Sequence, residues 1–551
     1  MRLSRSLVIH FALLYCVTFG LTAAPAPEIR CVVKNKPIHE LDSRLFGSFM
    51  ERPSWGEIGP EGALVPGTDR LQPGVVDLLR GMNIPIVRFP GGSDVDFLDW
   101  RDMVSNAPGR AAARPLSTGH KGDSVANDFG YDEFLRLSAR LGWQDILVVN
   151  LRAGLLQQMP LEKAAQQAAA LVAYCNAPVG AKLPAGMADW PAVRAHNGHP
   201  EPYKVKYWQI GNETWFFTNK VNELMPKDPD RYFADCLLAY ARAMLAVDPD
   251  IEFIADGIKG GQLAQAEMPD KIRHLVFHAY QPWAIKEVER HGKPVPISSL
   301  RPADIWNAWV ATPGFNSDGL AAFDEPLLPL AREKHFKVAV TEWNWNGWWD
   351  PPNSHLTSSF AKAVGAAGFV HALMRAGDSI DIACQSMLVG MAWKIHAIEA
   401  DPEAKFPPFY MPTGQLMALY AAHHGAKLMD LETSGVPTYE QPFKMNDIHP
   451  YKKIAYLDIL ATADDKTLYL HVINRHFEKD LTLTVNAADF GASASTARRY
   501  SLIGRLKDHP APGEPRQISR ITQADFPVSR GKLSLPLPAR SVSCVEIPLG
   551  R

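Results

Sequence analysis

Between about residue 42 and residue 390 the chain alternates short β-like runs with helical ones, eight times over. The strand candidates are LFGSFME (45–51), PIVRFPG (85–91), DILVVNL (145–151), KVKYWQIG (204–211), IEFIADG (251–257), HLVFHAY (274–280), KVAVTEW (337–343) and DIACQSML (381–388). Most are near-continuous apolar runs, as strands covered on both faces require. Between them, EKAAQQAAALVAYC, DRYFADCLLAYARAMLA and SSFAKAVGAAGFVHALMRAG have the composition and apolar spacing of amphipathic helices. Eight such units predict an α/β fold, a (β/α)8 TIM barrel. The alternative, an open doubly wound sheet, is weakened because no glycine-rich phosphate turn follows an early strand.

After about residue 430 the helical patterns stop. KIAYLDILATAD, KTLYLHVINRH, DLTLTVNAADF and SVSCVEIPLG alternate with the strand period, turn residues between them. They predict a small antiparallel β-sandwich, with DHPAPGEP as a loop inside it. The early run IRCVVKN precedes the barrel and could join the same unit. The expected division is 1–26 as a signal peptide, 27–41 as an N-terminal strand, 42–425 as the barrel and 426–551 as the C-terminal β-sandwich. A chain of 551 residues, 46% hydrophobic and 21% charged, can bury one large core and a smaller one. The formal net charge is −2 and no charge block stands out, so nucleic acid is not an expected partner. An uncharged small molecule or polysaccharide suits such a surface better.

In residues 1–26, Arg2 and Arg5 precede the apolar run LVIHFALLYCVTFGL, and small residues follow in TAAPAP. This reads as a cleaved secretory signal, predicting secretion or the periplasm. An uncleaved anchor is the alternative, but the run is short for a span and His10 interrupts it. No later segment is apolar enough to span a membrane, so no membrane partner is expected. Five cysteines then remain, Cys31, Cys175, Cys236, Cys384 and Cys544, too few and scattered for a disulfide scaffold. Cys31 and Cys544 could pair if the two ends of the chain meet.

In a barrel of this kind chemistry gathers at the carboxyl ends of the strands. There the sequence places Glu51 after the first strand, Arg88 in the second, Asn212 and Glu213 after the fourth, His278 and Tyr280 in the sixth, and Glu342 in the seventh. An Asn-Glu pair after a strand can be a mere helix cap. Glu342 closing the seventh strand gives Glu213 a counterpart across the mouth. Two facing carboxyls cleave glycosidic bonds when one stays protonated for the leaving oxygen and the other ionised for attack. Arg88 and Tyr280 are expected to hold Glu342 ionised, and Asn212 to bind the hydroxyl beside the reacting carbon. Tryptophans in WNWNGWWDPP (343–352) predict a stacking subsite, with Trp343 at least packing the barrel top. The histidines lack metal-ligand spacing, and His423–His424 reads as a solvated helix end, so no metal or other cofactor is expected.

The motifs FGSFMER, IPIVRFPGG followed by DWRD, NDFGYDEF, VVNLRAG, YCNAP, YWQIGNE, ARAMLAVDPDIEFIADG, HAY, VTEWN and IAC occur in this order. Over most of residues 42–425 the chain resembles glycoside hydrolase family 51, the α-L-arabinofuranosidases. The resemblance implies a retaining glycosidase with Glu213 as acid/base and Glu342 as nucleophile. It implies sugar-binding or supporting positions for Glu51, Arg88, Asn212, His278 and Tyr280, and it hints at homo-oligomers. Two positions depart from the family pattern. Ser93, followed by Asp94, stands where the family usually carries Asn after Pro-Gly-Gly, and Met387 where it places a late eighth-strand Gln. Ser93, and Gln385 two positions before Met387, are the substitutes expected to bind substrate. The expected function is an exported retaining glycosidase acting on α-L-arabinofuranosides of plant cell walls. Another furanoside, a xyloside or a β-glucan as substrate, and a noncatalytic carbohydrate-binding protein, are the alternatives.

Overall fold

The computed structural model describes residues 28–280, 284–285, 287–311, 327–345, 348–349, 360–391, 395–445, 449–491, 495–505 and 518–549. The 1–26 segment and the DHPAPGEP loop lie outside them. Eight parallel strands close into a barrel in chain order: Gly47–Phe49, Ile86–Phe89, Gln144–Val149, Tyr207–Ile210, Glu252–Asp256, Ile272–Tyr280, Lys337–Asn344 and Ile380–Ser386. Each falls on one of the eight predicted runs. The first is shorter than its run because Ser43–Phe46 forms a 3-10 turn, capped by the Asp42 carboxylate accepting from the Arg44 N–H.

Alternation along the strands explains their all-apolar composition. Phe49, Ile86, Ile146, Tyr207, Ile254, Val276, Ala339, Ile382 and Cys384 meet inside the barrel. Their neighbours, among them Val87, Leu147, Trp208, Phe253, Phe277, Val340 and Ala383, face outward into a far larger core under the helices. The predicted helices appear as Leu161–Asn176, Pro229–Leu245 and Phe360–Arg375. The second starts with Pro229 in its first turn and the Asp228 carboxylate accepting from the Arg231 N–H, which locks its entry.

A last helix, Pro412–Ala422, leads into a nine-stranded sheet. The N-terminal strand Ile29–Glu40 runs through its interior, parallel to Leu481–Asn486 on one side and antiparallel to Lys427–Ser434 on the other. The sheet's remaining ladders are antiparallel. Ile29, Cys31 and Val33 share a second core with Met429, Leu468, Leu483, Leu535 and Val545.

Two expectations are corrected here. Cys31 and Cys544 are both buried and free. Cys31 lies in the sheet's own core, whereas Cys544 faces the barrel with its Sγ 3.5 Å from His471 Nδ1. Side chains on opposite faces of a sheet cannot reach disulfide geometry. His423 and His424 are not a solvated helix end. His423 lies 2.9 Å from the Glu546 carboxylate and stacks on Tyr500, and His424 packs on Phe46 at 4.6 Å between ring centres. His423 pins the last helix to the sheet, and His424 packs it on the 3-10 turn Ser43–Phe46. Among the described residues no helix is long and apolar enough to cross a membrane.

Candidate active site

Arg88 organises the barrel mouth. It shares the inward face of the second strand with Ile86 and is fully buried. A guanidinium so placed is tolerable only with its donors used. Its Nε donates to Gln209 Oε1 at 2.8 Å, and its terminal nitrogens donate to Glu342 Oε1 at 2.7 Å and Asn212 Oδ1 at 2.6 Å. Its plane lies 4.5 Å from the Phe49 ring. One side chain thereby joins the second, fourth and seventh strands and orients both Asn212 and Glu342.

The seventh strand carries one extra residue against the sixth between Val340 and Glu342. This bulge turns two successive side chains towards the mouth. Thr341 Oγ1 lies 2.9 Å from His278 Nε2, and Glu342 Oε2 accepts from the Tyr280 hydroxyl at 2.7 Å. Ser386 Oγ sits 2.7 Å from the same phenol oxygen. Burial pushes the Glu342 carboxyl up. The His278 imidazole 3.7 Å away, the Arg88 guanidinium and the Tyr280 hydroxyl outweigh it and hold the carboxyl below its usual range.

Glu213 stands on a left-handed backbone, φ 47° and ψ 42°, just beyond the fourth strand. For a residue with a Cβ this costs on the order of 1–2 kcal/mol. Asp256, from the fifth strand, holds the turn by accepting the Thr214 N–H at 3.1 Å, the Thr214 hydroxyl and the Ile258 N–H at 3.1 Å. Glu213 keeps 19% of its side chain exposed, against 7% for Glu342, and its Oε1 lies 2.9 Å from His278 Nδ1. Glu213, His278 and Glu342 each present an atom within 4.8 Å of the others. Such a trio could ligate a cation. Here both Glu342 oxygens are already hydrogen-bonded, and Arg88 supplies the positive charge.

Glu51 is a third buried carboxyl beside the pair. A Cβ on Gly92 would sit 2.2 Å from Glu51 Oε1 and 3.8 Å from Glu342 Oε1, so only glycine lets the turn approach both. Burial, then the neighbouring Glu342 and Asp94 charges, push Glu51 well above the usual carboxyl range.

Ser93 opens the 3-10 turn Ser93–Asp96 beyond Gly92 and is half-buried. The turn buries Asp94, which accepts the His120 N–H at 2.9 Å and also pairs with the His120 ring. Gln385 is not at the mouth. Cys384 is in the barrel interior and Ser386 reaches Tyr280, so alternation points Gln385 outward, paired in register with Trp343 and Ser48. Met387 is buried just beyond the strand, and the eighth strand's polar group at the mouth is Ser386. Trp343 packs on Phe369, and Trp345 is buried too, donating to the Trp309 carbonyl at 3.2 Å. These two therefore build core, and only a short backbone ladder, Trp348–Trp349 with Ala284–Ile285, is described beyond them. Gln209, Thr341, Ser386, Asp94 and His120 join the neighbourhood unforeseen. Gln209 alone had a local signal, sharing the face of Tyr207.

Two family models match the chain: the α-L-arabinofuranosidase 1 domain over residues 78–293 and the α-L-arabinofuranosidase C-terminal domain over residues 342–541. Together they cover well over half of it. The chain belongs to the α-L-arabinofuranosidases of glycoside hydrolase family 51. It is accordingly a glycoside hydrolase, with a carbohydrate substrate. It is 24% identical to an intracellular exo-α-(1→5)-L-arabinofuranosidase of Halalkalibacterium halodurans, over 83% of this chain and 87% of the relative. A Streptomyces lividans enzyme of the same description is 25% identical over 91% of this chain and 74% of its own length. The fold matches the family 51 enzyme of Thermotoga petrophila with a TM-score of 0.68 at 22% identity, covering 94% of this chain and all of that one.

The family 51 relatives also correct the expectation of export. Those from Halalkalibacterium halodurans and Streptomyces lividans are named intracellular, which contradicts the expected secretion or periplasmic location.

Proposed function

We propose that this glycosidase removes terminal α-L-arabinofuranosyl groups with retention of configuration, Glu342 acting as nucleophile and Glu213 as acid/base. The observation that carries the reading is the approach of Glu213 and Glu342 oxygens to within 4.8 Å. Direct attack on the sugar needs carboxyls about 5–5.5 Å apart, whereas an intervening water needs about 6.5–9.5 Å. The ionised Glu342 oxygen bonds to the anomeric carbon while the bond to the leaving oxygen breaks and Glu213 gives that oxygen its proton. A water then passes a proton to Glu213 and attacks the same carbon, releasing Glu342. Asn212, fixed by Arg88, meets the hydroxyl beside the reacting carbon, and Glu51, beside the pair, hydrogen-bonds the sugar. Relatives named as arabinofuranosidases support the choice of sugar.

A panel of nitrophenyl glycosides tests the sugar, with release fastest from α-L-arabinofuranoside. Glu213→Ala and Glu342→Ala test the roles. The first should lower kcat on poor leaving groups by about 10²–10⁴-fold. The second should lose turnover and regain it with azide, giving an azide product of inverted configuration. Wild-type rates in both variants would end this assignment.

A further inference from the structure

Among the described residues the exposed phenylalanine and tryptophan side chains are Trp55, Phe97 and Phe216, and all three stand on loops at the barrel mouth. They follow the first, second and fourth strands. Two of them belong to a continuous row. Trp55 lies 4.3 Å from the His120 ring, and His120 lies 6.5 Å from Phe97. The Arg152 guanidinium covers Phe97 at 4.2 Å and reaches Phe217 at 5.7 Å. Phe217 closes the turn Thr214–Phe217 that opens directly after Glu213. A band of planar faces thus crosses half the mouth and ends at the proposed proton donor.

The band also carries charge. Lys121 Nζ sits 4.0 Å from the Trp55 ring, and Arg152 spans the gap between Phe97 and Phe217. Neither has a carboxylate at ion-pair distance among the described residues, and Arg152 finds only Gln158 Oε1, at 3.1 Å. Of the two buried acids beside the band, Asp94 is engaged by His120, and Asp96 accepts the Leu151 and Arg152 backbone N–H groups at 3.2 and 3.4 Å. A cation left beside an exposed aromatic face can still take an anion.

We propose that this band is the leaving-group subsite and that it takes an acidic polysaccharide backbone. Sugar rings stack on Trp55, Phe97 and the Phe217 side of Arg152, and uronate carboxylates meet Lys121 and Arg152. The inference rests on the reading that Glu213 protonates the leaving oxygen. That reading places everything beyond the broken bond on the Glu213 side, where the band ends. Exposed charge contacts are individually weak and salt-screened, so the two cations together are worth about tenfold at low salt and little at high salt. Each stacking face is worth about 2- to 10-fold.

The test compares kcat/KM on three arabinofuranosides: a nitrophenyl glycoside, a neutral arabino-oligosaccharide and an arabinosylated oligogalacturonate. Relative to its effect on the neutral oligosaccharide, Lys121→Gln/Arg152→Gln should cost about tenfold more on the acidic one at low salt. The extra cost should vanish at high salt. Phe97→Ala should weaken both oligosaccharides more than the nitrophenyl glycoside. Equal losses on neutral and acidic substrates, or no salt dependence in the wild type, would overturn the proposal. If the panel assigns another glycone, calorimetry with unsubstituted oligogalacturonate reads the band by itself. Binding by the wild type that weakens in the double variant supports it, and absence of wild-type binding overturns it.

Discussion

Arg88 shows how one side chain can set the charge of another. Its guanidinium is among the groups that keep buried Glu342 ionised, although burial itself pushes the other way. In the wild type Glu342 titrates below the usual carboxylate value of about 4.3, so the acid limb of kcat/KM for an ionised nucleophile lies below that pH. Replacing Arg88 by Gln removes a positive neighbour and leaves the burial. The Glu342 pKa must then rise, and the acid limb should move up by about 1–3 pH units with loss of rate in mild acid. A pH profile of both proteins checks this, and an unmoved limb would mean that His278 and Tyr280 suffice. The residues Glu213, Glu342, Arg88 and Tyr280 were legible because strand ends are legible, and a polar group at the end of an apolar run stands out. Ser386 was not legible in place of Gln385. A one-residue change of phase moves a side chain to the other face, and phase is set by the ladder partners.

At the scale of elements, the helix Phe360–Arg375 is fitted to the seventh strand through a glycine. A Cβ on Gly365 would lie 2.1 Å from the Trp345 indole, which is itself fully buried. Alanine favours a helix over glycine by about 1 kcal/mol, but overpacking a closed core costs about 1–3 kcal/mol. The clash is with a ring rather than a flexible tip, so the cost should win and Gly365→Ala should lower the urea midpoint. A raised midpoint would show that Trp345 can move aside. The barrel strands were readable as apolar runs. In the sheet, Lys427–Ser434, Thr496–Gly504, Ser519–Pro527 and Lys532–Leu537 escaped notice. The last two are the sheet's edges, and edge strands need little apolar content and tolerate residues such as Pro536. The bulge that aims Thr341 and Glu342 has no signature in KVAVTEW either, because it exists only against the neighbouring strand.

Across the whole molecule, barrel and sheet are joined by a buried charge. Asp458, on the sheet strand Leu457–Ala463, accepts from Arg475 at 2.7 Å and from Arg375 at the end of a barrel helix, with His371 Nδ1 at 3.2 Å. Burial opposes its ionisation, but Arg375 and Arg475 hold its carboxyl well below the usual range. Asp458→Asn leaves two guanidiniums without their anion and should cost about 3–5 kcal/mol of stability near neutral pH. Because the folded pKa is depressed, the contribution is whole above the unfolded value of about 3.9 and is lost as pH falls towards the folded one. Thermal unfolding against pH should therefore show wild type and variant converging in acid, and a constant gap would contradict the role given to Asp458. The sequence by itself determined the eightfold barrel, the all-β second unit and the two glutamates at strand ends, because periodicity and strand termini are properties of short segments. Tertiary structure alone decided that Arg88 also meets Gln209 and Asn212, 121 and 124 residues away, that Ser386 rather than Gln385 reaches the mouth, and that aromatic faces from separate loops form one band. Those distances depend on strand phase, a bulge and loop packing, which exist only once distant segments stand side by side.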